Sequence, residues 1–359
     1  MSLDQTSEER ERAAARRRIG ETVPLAHGGG GKAMRDLIQS VFVVEFQPDV
    51  MEDQARLDPS PHLTDGGRLA FTTDGFVVSP LEFPGGDIGK LAVWGTVNDL
   101  AVGGAKPLWL SAAFVIEEGA PIETLRRVAG SMRAAAEAAG VRIVTGDTKV
   151  VERGSADQLF ITTAGVGVIP PGRDLAARKV RPGDVAIVNG WLGHHGAAIL
   201  NARGDLALDA PIDSDCAPLN GLMEAALAAA PDLRCARDCT RGGLASALNE
   251  IASDAGLGVT IEEGDLPLRQ EIRGFCEILG LDPLYLANEG TLVLFAPPEQ
   301  ADVALKAMRA HPVGRESRII GRAIGPDQGG RAGRVVMNTV FGGGRIVDML
   351  VGEQLPRIC

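Results

Sequence analysis

The stretch Asp-Ile-Gly-Lys-Leu-Ala-Val-Trp-Gly-Thr-Val-Asn-Asp-Leu-Ala-Val, residues 87–102, is the most informative segment in the first half of this chain. Its apolar residues recur at three- and four-residue intervals, which predicts a helix with one buried stripe. Asp99 falls on that stripe, between Gly95 and Val102. A carboxylate on an apolar face needs a cation, either an Arg or Lys partner or a bound Mg²⁺.

Short β-branched runs on both sides of this helix predict strands. They cover residues 68–78 and 141–168, and a second helix with an apolar face ends at Gly140. Three more aspartates stand where strands end, and these are Asp74, Asp147 and Asp238. An aspartate in such a place commonly forms a turn. Together with Asp99, however, the four aspartates favour a site for a Mg²⁺–nucleotide complex.

The second half of the chain repeats the same mixture of strands and helices. A strand is predicted at 185–188, a helix begins near Leu244, and the later strands are predicted at 258–261, 291–295, 318–324 and 334–337. The chain is rich in Pro, Gly and charge between residues 170 and 184, which suggests a domain boundary. We therefore predict an α+β protein with domains at 21–172 and 173–344, a disordered charged tail at 1–20 and a mobile tail at 345–359.

A glycine-rich loop, His27-Gly28-Gly29-Gly30-Gly31-Lys32, precedes a helical pattern. Its glycines free backbone amides to bind a phosphate, and Lys32 adds a positive charge, although the spacing differs from that of a Walker A motif. The loop is therefore either a phosphate contact or a flexible connection. Lys149 and Glu289 are further candidates for chemistry, and each could also be an ordinary surface charge.

The last residue is Cys359, at the end of a tail punctuated by Gly352 and Pro356. The eight residues after Val351 span at most about 28 Å when extended. A thiol on such an arm can visit a partner's site and its own site in turn, whereas a chance cysteine on a frayed end would have no such role. The remaining motifs favour the carrier arm.

Composition excludes several classes of function. The net charge is −11, which argues against a surface for nucleic acid or anionic lipid. The sequence has no run of 18 apolar residues and no signal-like start, so we expect a cytoplasmic protein that does not contact a membrane. Its five cysteines suit a reducing compartment. Cys235 and Cys239 lack further zinc ligands nearby, and His194-His195 favours a loop or packing role.

These segments together resemble the HypE hydrogenase maturation factors, a family within the PurM-like (aminoimidazole ribonucleotide synthetase) ATP-binding superfamily. The resemblance extends from His27 to Cys359, and its most specific motif is the final Pro-Arg-Ile-Cys. The other matching motifs are Ala26-His27-Gly28, Phe83-Pro84-Gly85-Gly86-Asp87-Ile88-Gly89-Lys90, Asn98-Asp99, Gly146-Asp147-Thr148-Lys149, Thr240-Arg241-Gly242-Gly243-Leu244 and Leu281-Asp282-Pro283-Leu284-Tyr285-Leu286-Ala287-Asn288-Glu289-Gly290.

The resemblance implies a homodimer whose N-terminal domains pair their sheets, with ATP near the domain cleft and the terminal thiol as the working group. In that family, the carbamoyltransferase HypF loads a carbamoyl group onto the thiol, and ATP drives its dehydration to a thiocyanate. The cyano group then passes to iron held by the HypC–HypD complex and becomes a cyanide ligand of the [NiFe]-hydrogenase centre.

On this resemblance, Cys359 is expected to be the covalent carrier, Glu289 the general base toward the amide nitrogen, and Lys149 a charge stabiliser or proton relay. The expected Mg²⁺ ligands are Asp74, Asp99, Asp147 and Asp238. The expected nucleotide contacts are His27, Gly28, Gly29, Gly30, Gly31, Lys32, Asn98, Thr148, Arg241 and Gly242.

Two positions depart from the family pattern. Cys239 stands where the family usually has a proline in Asp-Pro-Thr-Arg-Gly-Gly, and His194 replaces the acid of a Gly-Asp-His-Gly loop. We assign no role that depends on that acid. Selenophosphate synthetase needs a cysteine near the glycine-rich loop, but the first cysteine here is Cys216. Thiamine-monophosphate kinase and the purine enzyme have no use for Cys359. A passive thiol carrier or metallochaperone remains the alternative of a different class.

Overall fold

The computed structural model describes residues 19–48, 54–204, 211–350 and 358–359. Most of the predicted charged tail, residues 1–18, lies outside this range, as does much of the predicted mobile tail. Ile19 is described and is buried in the first core. No helix of the described residues is long and apolar enough to cross a membrane.

The first half is a four-stranded sheet with helices on one face. Its strands are β1 (Arg68–Phe76), β4 (Lys106–Glu117), β5 (Arg142–Val151) and β6 (Leu159–Ile169), in the order β1-β6-β4-β5. A small hairpin, β2 (Glu82–Phe83) and β3 (Gly86–Asp87), lies between β1 and the next helix. The strands β4 and β5 are parallel, and the other neighbours are antiparallel. The predicted strands of this half are thus confirmed.

Three helical segments accompany this sheet. They are α1 (Lys32–Leu37), which continues as a π-helix over Ile38–Val43 and ends with Val44–Phe46, then α2 (Ile88–Val102) and α3 (Ile122–Ala139). The carboxylate of Asp87 caps α2 by accepting hydrogen bonds from the amides of Gly89 and Lys90. Gly140 ends α3 in the left-handed conformation, as predicted.

The helix α2 differs from its predicted form. It is buried around nearly its whole circumference instead of along one stripe, because it contacts the sheet on one side, α3 on another and the second half of the chain on a third. The sequence indicates this wider burial, since the apolar residues Val93 and Val97 lie off the predicted stripe. Both are fully buried in the structure.

The second half is a larger mixed sheet. Its strands are β7 (Val185–Val188), β8 (Cys235–Asp238), β9 (Gly258–Glu262), β10 (Leu292–Ala296), β11 (Arg318–Ile324), β12 (Arg334–Asn338) and β13 (Gly344–Val347). Their order is β13-β12-β9-β11-β7-β10-β8, and only β12 and β9 are parallel among these pairs. The last strand, β13, includes residues 345–347 and pairs with β12, although these residues were assigned to the predicted mobile tail.

Five helices pack on this second sheet and beside it. They are α4 (His194–Ala202), α5 (Asn220–Ala229), α6 (Gly243–Ala255), α7 (Gln270–Leu279) and α8 (Pro298–Ala310). The two halves are not independent, because the first core includes side chains from the second half, namely Ile199, Cys216, Ala287 and Ile358. The mixed sheets and helices confirm the predicted α+β class.

Candidate active site

A cavity of about 190 Å³ lies where the end of β1, the helix α2 and the end of β8 meet. Aspartates and a glutamate from both halves of the chain line it, together with Arg241 and Cys359. The lining acids are Asp74, Asp99, Asp238 and Glu289. The structure therefore brings together three of the four predicted metal ligands, the predicted base and the predicted carrier thiol.

Asp74 and Asp99 come from the first half and are held by short local bonds. Asp99 accepts a hydrogen bond from the hydroxyl of Thr72 at 2.9 Å, and Asp74 accepts one from the amide of Gly75 at 2.7 Å. Burial raises the pKa of both carboxyls, and the charge of Asp74 raises that of Asp99 further. Both carboxyls would be stabilised by a cation in the cavity.

Asp238 is the last residue of β8 and faces the two other aspartates. Burial raises the pKa of Asp238 to about 7, and the charges of Asp99 and Asp74 add to the effect. Three acids that hinder one another's ionisation are typical of a site built for a positively charged ligand.

Arg241 and Gly242 follow Asp238 in a sharp turn before α6. Gly242 has φ of +74° and Gly243 has φ of +60°. A side chain at Gly243 would meet the carbonyl oxygens of Leu284 and Leu286 at 2.5 Å, so this position requires glycine. The turn directs Arg241 to the cavity, where its positive charge favours ionisation of the aspartates.

Glu289 is buried in the loop before β10, and no described residue forms a hydrogen bond with its Oε1. Burial raises the pKa of Glu289 well above its usual value, and the negative charge of Asp215 contributes next. Asp215 also holds the loop in place. Its carboxylate accepts hydrogen bonds from the amides of Glu289 and Gly290, both at 3.0 Å, and from the hydroxyl of Thr291 at 2.9 Å.

Asn98 has a different environment from the one predicted. Its side-chain nitrogen donates to the carbonyl oxygens of Ala217 at 3.1 Å and Glu289 at 3.4 Å, and its side-chain oxygen accepts from the amide of Leu219 at 2.7 Å. Its polar atoms are thus bonded to the backbone of the second half. These bonds connect the two domains and support the backbone of Glu289, while the nucleotide contact expected of Asn98 stays a prediction.

Cys359 enters the cavity from the end of the chain. The amide of Val77 donates to the carbonyl oxygen of Cys359 at 3.2 Å, and Ile358 is buried in the first core. Burial raises the pKa of the Cys359 thiol, and the charge of Glu289 raises it further, whereas Arg241 opposes this. The seated sulfur is therefore a protonated thiol next to the buried acid.

Asp147 and Lys149 lie on β5, outside this cavity. Lys149 Nζ donates to Asp147 at 2.6 Å, which lowers the pKa of that carboxyl, and both side chains are exposed. The four predicted aspartates thus do not form one cluster within a single chain. Asp147 and Lys149 stand opposite Ala113 and Val115 of β4, on the face of the sheet that carries the exposed side chain of Phe71.

The glycine-rich loop also lies at β5. His27 is buried, its Nδ1 has no hydrogen-bond partner among the described residues, and burial lowers its pKa. A side chain at Gly28 would meet Val150 at 3.0 Å, whereas Gly30 and Gly31 face open space and Lys32 is exposed. Gly29 completes the loop, and its amide bonds to Ala26.

An apolar cavity of about 140 Å³ opens beside the loop's helix and β5. The rings of Phe42 and Phe46 lie on one side, and Thr148 and Asp147 lie on another. Among the residues that the structure describes, none is hydrogen-bonded to the buried hydroxyl of Thr148. The π-helix over Ile38–Val43 supplies part of the wall, and such helices often occur at functional sites.

The acidic cavity fits a magnesium–nucleotide complex better than a metal ion alone. No group of three acidic, histidine or cysteine side chains in the described ranges is close enough to bind an ion by itself. Magnesium in nucleotide sites typically uses one or two carboxylates and completes its shell with phosphates and water. Burial raises the pKa of Asp74, Asp99 and Asp238, so a positively charged ligand in the cavity would stabilise their ionised forms.

Comparisons with known proteins identify the family. Residues 51–169 match the N-terminal domain and residues 181–332 the C-terminal domain of AIR synthase related proteins. The carbamoyl dehydratase HypE of Rhodobacter capsulatus is 68% identical over 339 residues, which cover 94% of this chain and 98% of that protein. The chain belongs to the HypE family.

Solved structures agree with this assignment. The crystal structure of a hydrogenase maturation protein HypE in complex with ATP is 45% identical and superposes with a TM-score of 0.89 over 94% of this chain and all of that one. The HypE chain of a HypE–HypF complex is 44% identical, with a TM-score of 0.76 over 89% of this chain and all of that one. The predicted family and its PurM-like two-domain fold are confirmed.

Sequence reasoning missed two residues of the site. Asp215 supports Glu289, but an aspartate in the coil before α5 carries no motif of its own. His195 was given only a loop or packing role, yet its Nε2 is hydrogen-bonded to the carbonyl of Ile358. The available signal was the family's Gly-Asp-His-Gly loop, in which His195 occupies the position of the histidine.

Proposed function

We propose that this chain is an ATP-dependent carbamoyl dehydratase that acts on its own Cys359. The reaction converts an S-carbamoyl group and ATP into a thiocyanate, ADP and phosphate. The observation that carries the proposal is the seating of the Cys359 thiol in one cavity with Glu289 and three aspartates. The names of the relatives support the dehydratase assignment.

The chemistry explains why both a nucleotide and a base are needed. An amide oxygen is a poor leaving group, so ATP transfers a phosphoryl group to it. When the C–O bond breaks, the oxygen leaves as phosphate, and removal of both amide protons creates the C≡N bond. The enclosed site limits hydrolysis of the intermediate.

Glu289 is suited to be the base. It lines the cavity beside the sulfur, and within the described part of the chain no group is hydrogen-bonded to its Oε1 and competes for the amide proton. Its raised pKa makes the ionised carboxylate a stronger base than an exposed glutamate. Asp215 and Asn98 hold its backbone, so the carboxylate is fixed relative to the thiol.

The nucleotide would be held by the acids and by the glycine-rich region. Asp74, Asp99 and Asp238 would hold Mg²⁺, which neutralises phosphate charge during transfer. Arg241 lines the same cavity and can contact a phosphate. We propose that the adenine base of ATP occupies the apolar cavity beside Phe42 and Thr148.

A homodimer would give Asp147 and Lys149 their role. Both lie on the uncovered face of the first sheet, where Leu69 is 57% exposed and Phe71 is 72% exposed. Exposed large apolar side chains on a sheet favour burial against a second copy. Pairing of two such faces would bring Asp147 and Lys149 of one protomer to the nucleotide of the other, as a metal ligand and a charge stabiliser.

The partners follow from the chemistry of the thiol. We propose that a HypF-type carbamoyltransferase loads Cys359, which is consistent with the solved HypE–HypF complex. A HypC–HypD complex then accepts the cyano group for the iron of the [NiFe]-hydrogenase centre, and these steps take place in the cytoplasm. Neither a nucleic acid nor a membrane takes part.

The test is the intact mass of the chain after incubation with a HypF-type protein, carbamoyl phosphate and ATP, with peptide mapping of the last residues. We expect a carbamoyl adduct on Cys359 that loses one water only when ATP can be hydrolysed. An adduct that never loses water would instead make the chain a passive carrier. A chain that gains no adduct from a competent partner would contradict the proposal entirely.

A further inference from the structure

The end of the chain is seated by two backbone hydrogen bonds, one from each half of the molecule. The amide of Val77, just after β1, bonds to the carbonyl of Cys359, and the Nε2 of His195, at the start of α4, bonds to the carbonyl of Ile358. Both contacts are to the backbone. They therefore fix the path of the last two residues and leave the sulfur free for chemistry.

The surroundings of His195 determine which nitrogen carries its proton. The ring is fully buried, and its Nδ1 lies 2.8 Å from the hydroxyl oxygen of Ser214, which accepts a bond from the amide of Cys216 at 3.2 Å. Because a carbonyl only accepts, Nε2 must donate to Ile358, and Nδ1 must accept from the Ser214 hydroxyl. Each donor in this chain of bonds has an acceptor.

The orientation of the ring is also fixed by packing. The ring of Phe83 meets that of His195 edge to face, with centroids 5.4 Å apart. Burial lowers the pKa of His195, which keeps the imidazole in the neutral form that this bonding pattern requires. His195 does not line the cavity and donates to the backbone of the tail, so the contact positions the thiol without entering the chemistry.

We propose that His195 is the positioning residue that holds Cys359 in the cavity. It releases the tail when its bond to Ile358 breaks, and that bond is to the backbone and not to the thiol. The kinetic consequence rests on the proposed function. The docked tail is the state in which water is removed, and the released tail is the state that a loading enzyme can reach.

The first test measures docking without any catalysis. In the full-length protein, the rate of Cys359 alkylation by iodoacetamide is followed by peptide mass mapping, and the four other cysteines are all buried. We expect His195→Ala to accelerate alkylation of Cys359 about tenfold, the factor that corresponds to one lost hydrogen bond. His195→Gln keeps a donor near the position of Nε2 and should restore much of the protection.

The matched control is the neighbouring histidine. His194 is also buried, but its Nδ1 is bonded to the carbonyl of Asp213 and not to the tail. His194→Gln should leave the alkylation rate of Cys359 unchanged. If His195→Ala does not fold, Ser214→Ala removes the partner that orients the ring and should also accelerate alkylation. Equal rates in wild type and in every folded His195 and Ser214 variant would overturn the proposal.

The second test separates this inference from the proposed function. With a HypF-type partner, His195→Ala should load carbamoyl at least as fast as wild type but lose water more slowly after ATP is added. If wild type is never carbamoylated, the proposed function fails, while the alkylation rates still decide the role of His195. If loading and water loss slow equally in His195→Ala, a positioning role is contradicted.

Discussion

We expect the carboxylate of Asp215 to contribute about 2–3 kcal/mol to the free energy of unfolding, because it holds the loop that carries the proposed general base, Glu289. Replacing it by asparagine keeps the shape of the side chain but exchanges one acceptor oxygen for an NH₂ group. Both Asp215 oxygens accept backbone hydrogen bonds, one from Glu289 and one from Gly290. In either orientation of the asparagine amide, its NH₂ group would face one of these backbone N–H groups, and two donors cannot hydrogen-bond to each other.

The magnitude follows from these contacts. A hydrogen bond to a charged group contributes about 1.5–3 kcal/mol, and a buried donor left unpaired adds to its loss. We expect Asp215→Asn to lower the free energy of unfolding by about 2–3 kcal/mol. For a domain of this size, each kcal/mol shifts the melting temperature by about 2–4 °C, so the expected decrease is about 4–12 °C.

The assay is differential scanning calorimetry of Asp215→Asn beside Asp213→Asn. Asp213 is a near neighbour with an exposed side chain, and its substitution should shift the melting temperature by less than about 2 °C. ATP-dependent water loss from carbamoylated Cys359 should fall in Asp215→Asn and not in the control. Equal melting temperatures for the two variants would refute the view that Asp215 supports the loop.

Three further predictions concern the same cavity. Glu289→Gln should slow water loss from carbamoylated Cys359 by about 10²–10⁴-fold, with loading unchanged, as read by intact mass; an unaffected rate would exclude it as the base. The pKa of Asp238 is raised from 3.8 to about 7, so between these pH values the folded protein binds one more proton at Asp238 than the unfolded chain does. The folded protein therefore loses stability as the pH rises through this range. Asp238→Asn should therefore flatten the dependence of the melting temperature on pH between pH 5 and 8 in nucleotide-free protein, and an unchanged slope would contradict this reasoning. Gly242→Ala should lower the free energy of unfolding in urea more than Gly256→Ala does. Both glycines have positive φ, but a Cβ at Gly242 would lie 2.0 Å from the hydroxyl oxygen of Ser246, whereas a Cβ at Gly256 would face open space. Equal losses of stability in the two variants would count against the clash.

The sequence predicted elements whose cause is local. Apolar periodicity predicted β1, β5, β6 and most strands of the second sheet but not β4, and Gly140 ended its helix where expected because only glycine readily adopts the left-handed conformation there. Asp74, Asp99 and Asp238 were found for a similar reason, since each stands at an unusual place in its own element. The sequence also suggested that they form one site with Asp147, and three of these four aspartates line the same cavity.

What the sequence left open depends on contacts between distant residues. Asn98 looked like a ligand, because nothing within α2 shows that its amide meets the backbone of Ala217 and Leu219. Asp147 was grouped with the other aspartates because it resembles them locally, but its strand places it on the other face of the sheet. Only tertiary packing distinguishes such cases.

Cys239 illustrates a departure that the fold accommodates. It stands where the family usually has a proline, and its amide donates to the carbonyl of Thr291 at 2.8 Å, a bond that proline could not make. The Cys239 carbonyl in turn accepts from Asn288, so the turn remains tied to the loop before β10. A lost ring constraint is thus offset by an added hydrogen bond.

The position of Asn98 limits how this protein could be recombined. Asp99 lines the cavity. The neighbouring residue Asn98 donates a hydrogen bond to the carbonyl oxygen of Glu289, which lies in the other half of the chain. The adjacent residues Asn98 and Asp99 therefore set the spacing between the two acids, Asp99 and Glu289. The two halves of such a protein are not exchangeable modules: a chimera that joined this first half to a second half from a distant relative would keep the spacing only if that second half supplied the backbone groups that Asn98 contacts.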